Sequence, residues 1–353
     1  MKFRNKQYRS SVHLVVYNGS KYLPYCLERV AQQTDKNFFF LIIDNASIDN
    51  SVKIISDFLA INPELATRTR LVKNNKNVGF AKGHNQAWQW TAGDYGLMLN
   101  QDVLLEPDYL EQLVNLLQTK PPAAAVQGKI LKWEFNSATY RLDLHKNLHK
   151  IGIFDSCGLA IKKNRHTFNL RQGEFDQGQA EEQIEVFGVS GTSPLYRRAA
   201  LDQIKYQQEV LDQDFVSYKE DVDIAWRLRL AGWQAWYQPK AVCYHDRSLS
   251  KPEKLSLVTE TRSHWPEQMK VYSCRNHWLV LFKNDCWSNL FRHSGYIGWY
   301  ELKKFLYRLV FETKVLAKAT FQCFFLLPII FKKRAVIQKQ RRANCKELRR
   351  WFI

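Results

Sequence analysis

The strongest constraint on the fold is a rhythm in the first third of the chain. Apolar runs of strand length alternate with segments of helical spacing, and the runs end on polar residues. Residues 11–17 are rich in β-formers and close on Asn18-Gly19, a turn signal. Residues 20–33 then set Leu23, Leu27 and Val30 on one helical face. Residues 38–43 are an unbroken apolar run ending at Asp44-Asn45, and residues 49–60 carry Val52, Ile55 and Leu59 at helical spacing. Residues 69–73 read as a short strand, 81–90 as a helix, 97–99 as a strand and 108–117 as a helix. This alternation predicts an α/β fold with a parallel sheet covered on both faces. Such sheets bind ligands beyond the carboxyl ends of their strands. Asn18, Asp44 and Asp102 all lie at such ends, which predicts that they line one cleft.

From about 125 to 190 the pattern loosens, with strands expected near 126–131 and 184–190. Residues 220–231 read as a helix. Its acidic first turn (Glu220, Asp221, Asp223) suits the positive end of the dipole, and Gly232 suits the C-cap. Asp223, Arg227 and Arg229 read as a solvated, amphipathic surface of that helix. Beyond 270 the chain turns helical and basic, with an apolar stripe of Leu302, Phe305, Leu306, Leu309 and Val310 opposed by Lys303, Lys304 and Arg308. Residues 315–331 are apolar except for Lys318, Thr320 and Gln322, and Pro328 is expected to break them. That run is short for a membrane span. Its flank, 332–350, holds nine Lys/Arg against Glu347, so an interfacial helix with a polybasic tail is expected.

Charge supports the same division. The formal net charge is +18, and residues 251–353, with 21 Lys/Arg and 7 Asp/Glu, hold +14 of it. Such asymmetry points to an anionic partner, a membrane surface or nucleic acid. No nucleic-acid motif is present and the basic residues accompany Phe/Leu/Ile runs, so no nucleic-acid partner is expected and the membrane is favoured. Residues 1–250 read as one α/β domain and 251–353 as a basic helical region that meets a membrane surface. The seven cysteines are scattered without a Cys-x-x-Cys pair, so neither a disulfide framework nor a zinc site is expected. A reducing compartment fits that usage. The N-terminus lacks the apolar core of a signal peptide. The expected place is the cytoplasm, peripheral on the inner face of the cell membrane.

Three acidic sites in an otherwise basic chain suggest a cleft for a metal and a phosphorylated ligand. Each has a plainer reading beside it. Asp44-Asn45-Ala46-Ser47-x-Asp49 is either a capped turn or a loop in which Asp44 accepts from a nucleobase. In the loop from Asn74 to Asn85, Gly79 and Gly83 permit close backbone approach, and Lys82 beside a helix N-terminus would welcome a phosphate; a long surface turn is the other reading. Asn100-Gln101-Asp102 is either a strand terminus or a site where Asp102 ligates Mg²⁺ or Mn²⁺. Glu220-Asp221 is either helix capping or a general base toward a hydroxyl. His245, after a strand at 241–244, is either structural or a metal ligand. Trp88, Trp90, Trp226, Trp233 and Trp236 are expected mostly in the core.

In order, several segments resemble family-2 glycosyltransferases with the GT-A fold. They are Val16-Tyr17-Asn18, the Asp44–Asp49 segment, Asn77-x-Gly79-Phe80-x-x-Gly83-x-Asn85, Leu99-Asn100-Gln101-Asp102, Gly191-x-x-x-Leu195-Tyr196-Arg197-Arg198 and Glu220-Asp221-x-Asp223-x-x-x-Arg227-x-x-x-Ala231-Gly232-Trp233. The closest likeness is to the bacterial rhamnosyltransferase-like branch that builds surface polysaccharides, over about residues 10–250. The resemblance implies a Rossmann-like nucleotide-sugar-binding fold with a C-terminal helical, membrane-associating extension. It also implies a nucleotide-diphosphate sugar donor, dTDP-rhamnose in this branch, and transfer with inversion to a lipid-linked or polysaccharide acceptor. By position, Asp44 would bind the base, with Tyr17, Asn18, Asn45, Gly79, Lys82, Asn85, Asn100 and Gln101 around the donor. Asp102 would hold a divalent ion, Mg²⁺ or Mn²⁺, with His245 completing its shell. Asp221 would deprotonate the acceptor and Glu220 orient it. The family's metal motif is commonly Asp-x-Asp, and here Asn100 takes the first place. A non-catalytic nucleotide-sugar or glycan-binding membrane scaffold is the alternative, against which the intact Glu220-Asp221 pair argues.

Overall fold

The computed structural model describes residues 8–133, 152–246 and 265–353. The expected alternation is present: β1 (Ser10–Val16), α1 (Leu23–Ala31), β2 (Phe38–Asp44), α2 (Ser51–Ile61), the short α3 (Pro63–Thr67), β3 (Thr69–Lys73), α4 (Phe80–Trp90), β4 (Tyr95–Leu99), β5 (Val103–Leu105), α5 (Tyr109–Thr119) and β6 (Ala123–Lys132). Every residue of β2 is buried, and all of β1 but Val15, the two-sided burial that an unbroken apolar run implies. β1 pairs in parallel with β2 and with β4, and β2 with β3. The registers Val16↔Asp44 and Leu14↔Leu99 bring the carboxyl ends of β1, β2 and β4 level.

The sheet is mixed, not wholly parallel as the alternation suggested. After β6 come β7 (Phe154–Ser156), β8 (Leu159–Ile161), β9 (Thr167–Asn169), β10 (Ile184–Val186) and β11 (Leu195–Arg197). Among the described residues no helix lies between β6 and β11. β11 runs antiparallel between β4 and β6. α6 (Arg198–Ile204), α7 (Glu220–Leu230) and β12 (Gln234–His245) follow, and the 10-stranded sheet has the order β10-β12-β6-β11-β4-β1-β2-β3, with β5 on β12 and β7 on β6. One core packs α1, α2 and α5 on the sheet; a second packs α4, α6 and α7. Trp88 and Trp226 are buried and Trp90, Trp233 and Trp236 half-buried, close to expectation.

The helix α7 departs from its sequence reading. All of it except Asp221 is buried, so Asp223, Arg227 and Arg229 form no solvated surface. Asp223 is paired with Arg227 at 2.8 Å and with Lys283 at 2.8 Å, and Arg229 bonds the Phe187 carbonyl at 3.0 Å. The apolar side of α7 is covered by the C-terminal region: α8 (Glu267–Asn284), α9 (Trp287–Arg292), α10 (Ser294–Phe311), α11 (Thr313–Lys339) and α12 (Cys345–Leu348). Leu279 and Val280 of α8 and Cys323 and Ile330 of α11 share a core with Val222, Trp226 and Leu230 of α7.

Three further expectations about this region are corrected. α11 runs through Pro328 unbroken, its inner side held by the packing of Cys323 and Ile330. The polybasic tail is free only in part: Lys333 meets Asp212 at 2.5 Å and Asp214 at 2.7 Å, Arg334 bonds the Phe282 carbonyl at 2.8 Å, and Arg349 bonds Asn289 at 2.7 Å, whereas Lys332, Lys339, Arg341, Arg342, Lys346 and Arg350 are exposed. Two of the cysteines, Cys286 and Cys345, form a disulfide with Cα atoms 6.1 Å apart. They lie 59 residues apart in sequence, and only the meeting of α9 with α12 reveals the pair. The exposed apolar surface instead belongs to α10, which has no buried residue, and to the neighbouring part of α11; Trp299 is 61% exposed and Phe324 71%.

Candidate active site

Beyond the level strand ends lie two adjoining cavities, of about 630 and about 430 Å³, which share Phe80, Asn100, Asp102 and Ser217. The larger is walled by Tyr17, Asn45, Gly79 and Gln101, with Val216 and, from α8, Met269 and Tyr272. Asp102, His245, Glu220 and Asp221 line the smaller, together with Phe168 and Asn169 of β9.

On the larger side the polar residues mostly hold one another. The Gln101 amide accepts from the Tyr17 N–H at 3.1 Å and donates to the Tyr17 carbonyl at 3.2 Å, tying the end of β4 to the end of β1. Asn18, at φ +49°, accepts from the Ile48 N–H at 3.0 Å. Of the Asp44-Asn45 pair it is Asn45 that lines the cavity, bridging to the Gly79 carbonyl at 3.2 Å and to Asn74 at 2.8 Å. Asp44 is buried and accepts from the Ser47 N–H at 3.2 Å, while its other oxygen has no partner. Gly79 caps α4 at φ +84°, a conformation glycine adopts at no steric cost. A Cβ on Gly83 would come within 2.8 Å of Val15, so glycine is what lets α4 lie close on β1.

Two expected donor residues point elsewhere. Lys82 is exposed on α4 and lines neither cavity. Asn85 is buried, accepts from the Val210 and Leu211 N–H groups at 3.0 and 2.9 Å, and donates to the Leu211 carbonyl at 2.7 Å. All of these bonds anchor the segment ahead of α7, and none is left for a ligand.

The pairing of β5 with β12 explains how residues 102 and 245 meet. His245 stands opposite Val103, the residue after Asp102, and the Asp246 N–H donates to the Asp102 carbonyl at 3.2 Å. His245 Nε2 lies 3.5 Å from the Asp102 carboxylate and Nδ1 lies 2.9 Å from the buried carboxylate of Asp155. Burial would depress the imidazole, but Asp102 and Asp155 outweigh it and push it up to about 9. A place where a carboxylate and an imidazole nitrogen share one proton is also one where a cation can displace that proton. Asp155 on Nδ1 fixes the ring so that Nε2 faces the cleft, as outer carboxylates do for metal-bound histidines. Asn100 adds a buried Oδ1 without a partner on the same wall. The donor set therefore fits a hard divalent ion that takes its remaining ligands from substrate phosphates and water. No cluster of three His, Cys, Asp or Glu exists among the described residues, so the protein supplies only part of the shell.

Across the smaller cavity, the adjacent carboxyls of α7 differ in environment. Glu220 is 6% exposed; burial, reinforced by the charges of Asp221, Asp223 and Asp212, pushes it up to about 8, so it is protonated at neutral pH. Asp221 is half-buried at the cavity wall, accepting from the Val222 N–H at 2.7 Å and facing the Gly191 N–H at 3.4 Å. Such divergence within an acidic pair is how sites assign acid and base roles. It also has a consequence for stability. Between an unfolded value near 4.5 and a folded value of about 8, unfolding releases the Glu220 proton, so stability falls as pH rises. Relative to Glu220→Gln, wild type is expected to lose about 1.4 kcal/mol per pH unit across that window, measured by urea unfolding at pH 5 and pH 8. A difference independent of pH would show that Glu220 is ionised throughout.

Several wall residues carried no signal in the sequence: Phe168 and Asn169 on a three-residue strand, Ser217 to Lys219 in a loop, and Met269, Tyr272 and Ser273 on α8. Asp155, which orients His245, was equally silent.

A mixed α/β sheet with acidic residues at its carboxyl ends, facing a second acidic pair across a cleft, defines a GT-A-type glycosyltransferase. Residues 11–205 match Glycosyl transferase family 2, and the chain belongs to that family. It is 28% identical over 289 residues to the glycosyltransferase GlyG of Streptococcus pneumoniae serotype 4, covering 62% of this chain and 95% of that protein. It is 22% identical over 319 residues to the poly-beta-1,6-N-acetyl-D-glucosamine synthase of Staphylococcus epidermidis, covering 88% of this chain and 68% of that one. In fold it is similar to the mannosyltransferase PcManGT from Pyrobaculum calidifontis in complex with GDP-Man and Mn²⁺, with a TM-score of 0.51 at 13% identity over 94% of this chain and 85% of that one.

Proposed function

We propose that the protein transfers a sugar, with inversion, from a nucleotide diphosphate to a hydroxyl of a lipid-linked or polysaccharide acceptor in the synthesis of a bacterial surface glycan. The observation that carries this reading is that Asp102 belongs to both cavities while Asp221 lines the smaller one with it. In this reading the nucleotide lies in the larger cavity, over Asn45 and Gly79 beside Tyr17. Its diphosphate reaches Asp102, Asn100 and His245, which would hold a divalent ion. That ion, when bound, supplies electrostatic stabilisation of the leaving diphosphate. The sugar then lies in the smaller cavity between Asp102 and α7. Asp221 takes the proton of the acceptor hydroxyl, and the hydroxyl oxygen attacks the anomeric carbon from the side opposite the departing phosphate. The protonated Glu220 beside it can donate a hydrogen bond to the acceptor. Relatives named for polysaccharide synthesis, and a structural neighbour holding a nucleotide sugar with Mn²⁺, support the reading. The rhamnosyltransferase-like motifs make dTDP-rhamnose the first donor to try.

The exposed apolar face of α10 and α11 supports a place against the cytoplasmic membrane surface, where a lipid-linked acceptor resides. α11 is also the one helix among the described residues that is long and apolar enough to cross a membrane. A donor panel tests the proposal: thermal shift of the full-length protein with Mn²⁺ and UDP-, GDP- or dTDP-sugars, followed by turnover with membrane acceptor. One nucleotide class is expected to raise Tm, since a ligand at 100 times its Kd adds about 2.7 kcal/mol. EDTA should remove that shift. A panel with neither binding, hydrolysis nor transfer would overturn the proposal, and donor binding without any turnover would favour the scaffold.

A further inference from the structure

The segment of residues 212–219, whose part 216–219 lines the two cavities, is held in an unusual backbone conformation. Val216, Tyr218 and Lys219 have φ of +63°, +72° and +74°. Residues with a Cβ avoid this region, and a β-branched one such as Val216 is a genuine outlier there. Such conformations persist only where the surroundings over-determine them, and they cluster at functional sites. Ser217 belongs to both cavities, Val216 lines the larger, and Lys219 is the N-cap residue of α7, directly before Glu220-Asp221. The course of this loop therefore sets where Asp221 stands.

What over-determines the loop is a set of side chains from the C-terminal helices. Asn276 of α8, fully buried, aims its amide nitrogen at three loop carbonyls: Phe215 at 2.9 Å, Ser217 at 2.8 Å and Tyr218 at 2.8 Å. Its Oδ1 accepts from Arg275 Nε at 2.9 Å. The guanidinium of Arg275 donates to the Asp214 and Phe215 carbonyls at 2.7 and 3.1 Å and to Gln322 of α11 at 2.8 Å. The loop's first residue, Asp212, is pinned by Lys283 of α8 and Lys333 of α11, each at 2.5 Å. These contacts with Arg275 and Asn276 are made to backbone carbonyls, so they select the loop's path and not its side chains. A helix serving only as packing needs its apolar residues, here Leu279 and Val280, and none of this polar set.

We propose that Asn276, supported by Arg275, is a positioning residue for the transfer step: it holds the strained loop 214–219 so that Asp221 is presented to the acceptor. The proposal rests on the reading of Asp221 as the base. It makes the C-terminal region part of the catalytic apparatus, since a chain ending at the sheet would lack the clamp.

The test uses the full-length chain with Asn276→Ala, Arg275→Lys, Val216→Gly and the double variant Val216→Gly/Asn276→Ala. Hydrogen exchange, which needs no donor, is expected to show faster exchange across 215–222 in Asn276→Ala. Its kcat should fall about 10²-fold with a donor KM within roughly threefold of wild type, the signature of misplaced chemistry. Glycine at 216 adopts positive φ without penalty, so the double variant should recover much of both losses. A merely structural role would not give that rescue. Should Asn276→Ala fail to fold, Arg275→Lys, which loses the fork to two carbonyls, carries the same readouts with a smaller effect. Wild-type exchange and kcat in the folded variants, or a loss that Val216→Gly does not relieve, would overturn the proposal. If wild type turns over no donor, the function assigned above fails, while exchange still decides whether the clamp exists.

Discussion

Asp221→Asn is expected to lower the rate of sugar transfer by about 10²–10⁴-fold, the range that a positioned general base contributes. The substitution keeps the shape of the side chain and its bond from the Val222 N–H, and removes only the capacity to take a proton. Donor binding should survive, because the larger cavity contains no atom of α7. The measurement is therefore a pair: kcat with acceptor, and the donor-induced thermal shift. A large loss in the first with little change in the second identifies a residue used in the chemical step. Glu220→Gln offers the internal comparison. Glu220 is protonated at neutral pH in its buried setting, so the amide should cost much less turnover than the change at 221. If Asp221→Asn retained full turnover, the base would have to be sought elsewhere on the smaller cavity's wall.

The sequence disclosed the parts of this site that local patterns encode. A run rich in β-formers foretold β1 and an unbroken apolar run β2, and the polar residues after them foretold strand ends that the registers Val16↔Asp44 and Leu14↔Leu99 then place side by side. The acidic helix start at Glu220 was equally plain. What was hidden depends on contacts between distant segments. Asn85 reads like any loop-to-helix asparagine, and only the packing of the 210–211 backbone on α4 shows that its amide is used up internally. Arg227 and Arg229 at helical spacing look like a solvated surface; the Ile204 and Val210 carbonyls take Arg227 inward, and Glu185 with the Phe187 carbonyl takes Arg229, partners that no pattern within α7 could reveal. The same reason hides the fate of Lys333, whose charge suggested a lipid surface and whose partner is Asp212.

Asp102→Asn should have the second large effect, and the reason lies in how little else can hold a cation there. Asn100 replaces the first carboxylate of the usual motif, and no group of three acids, histidines or cysteines that could hold a metal exists among the described residues, Asp155 lying behind the ring of His245 on Nδ1. Asp102 is thus, among the described residues, the one carboxylate that lines the donor cavity and also meets His245 Nε2. Replacing it with a neutral amide leaves the ion to be held by an imidazole, a carbonyl oxygen and the substrate's own phosphates. Turnover at fixed Mn²⁺ is expected to fall about 10²–10³-fold, comparable to removing a principal electrostatic stabiliser of a developing charge. Asp155→Asn, which disturbs the ring that Asp155 orients, should cost about 10–100-fold in metal affinity, and raising Mn²⁺ should recover its activity. Titrating Mn²⁺ against donor turnover in both variants separates the two roles. Asp155→Asn should shift the midpoint and keep the plateau, whereas Asp102→Asn should lower the plateau itself. Equal plateaus at saturating Mn²⁺ would remove Asp102 from the metal and leave it as a partner of His245 alone.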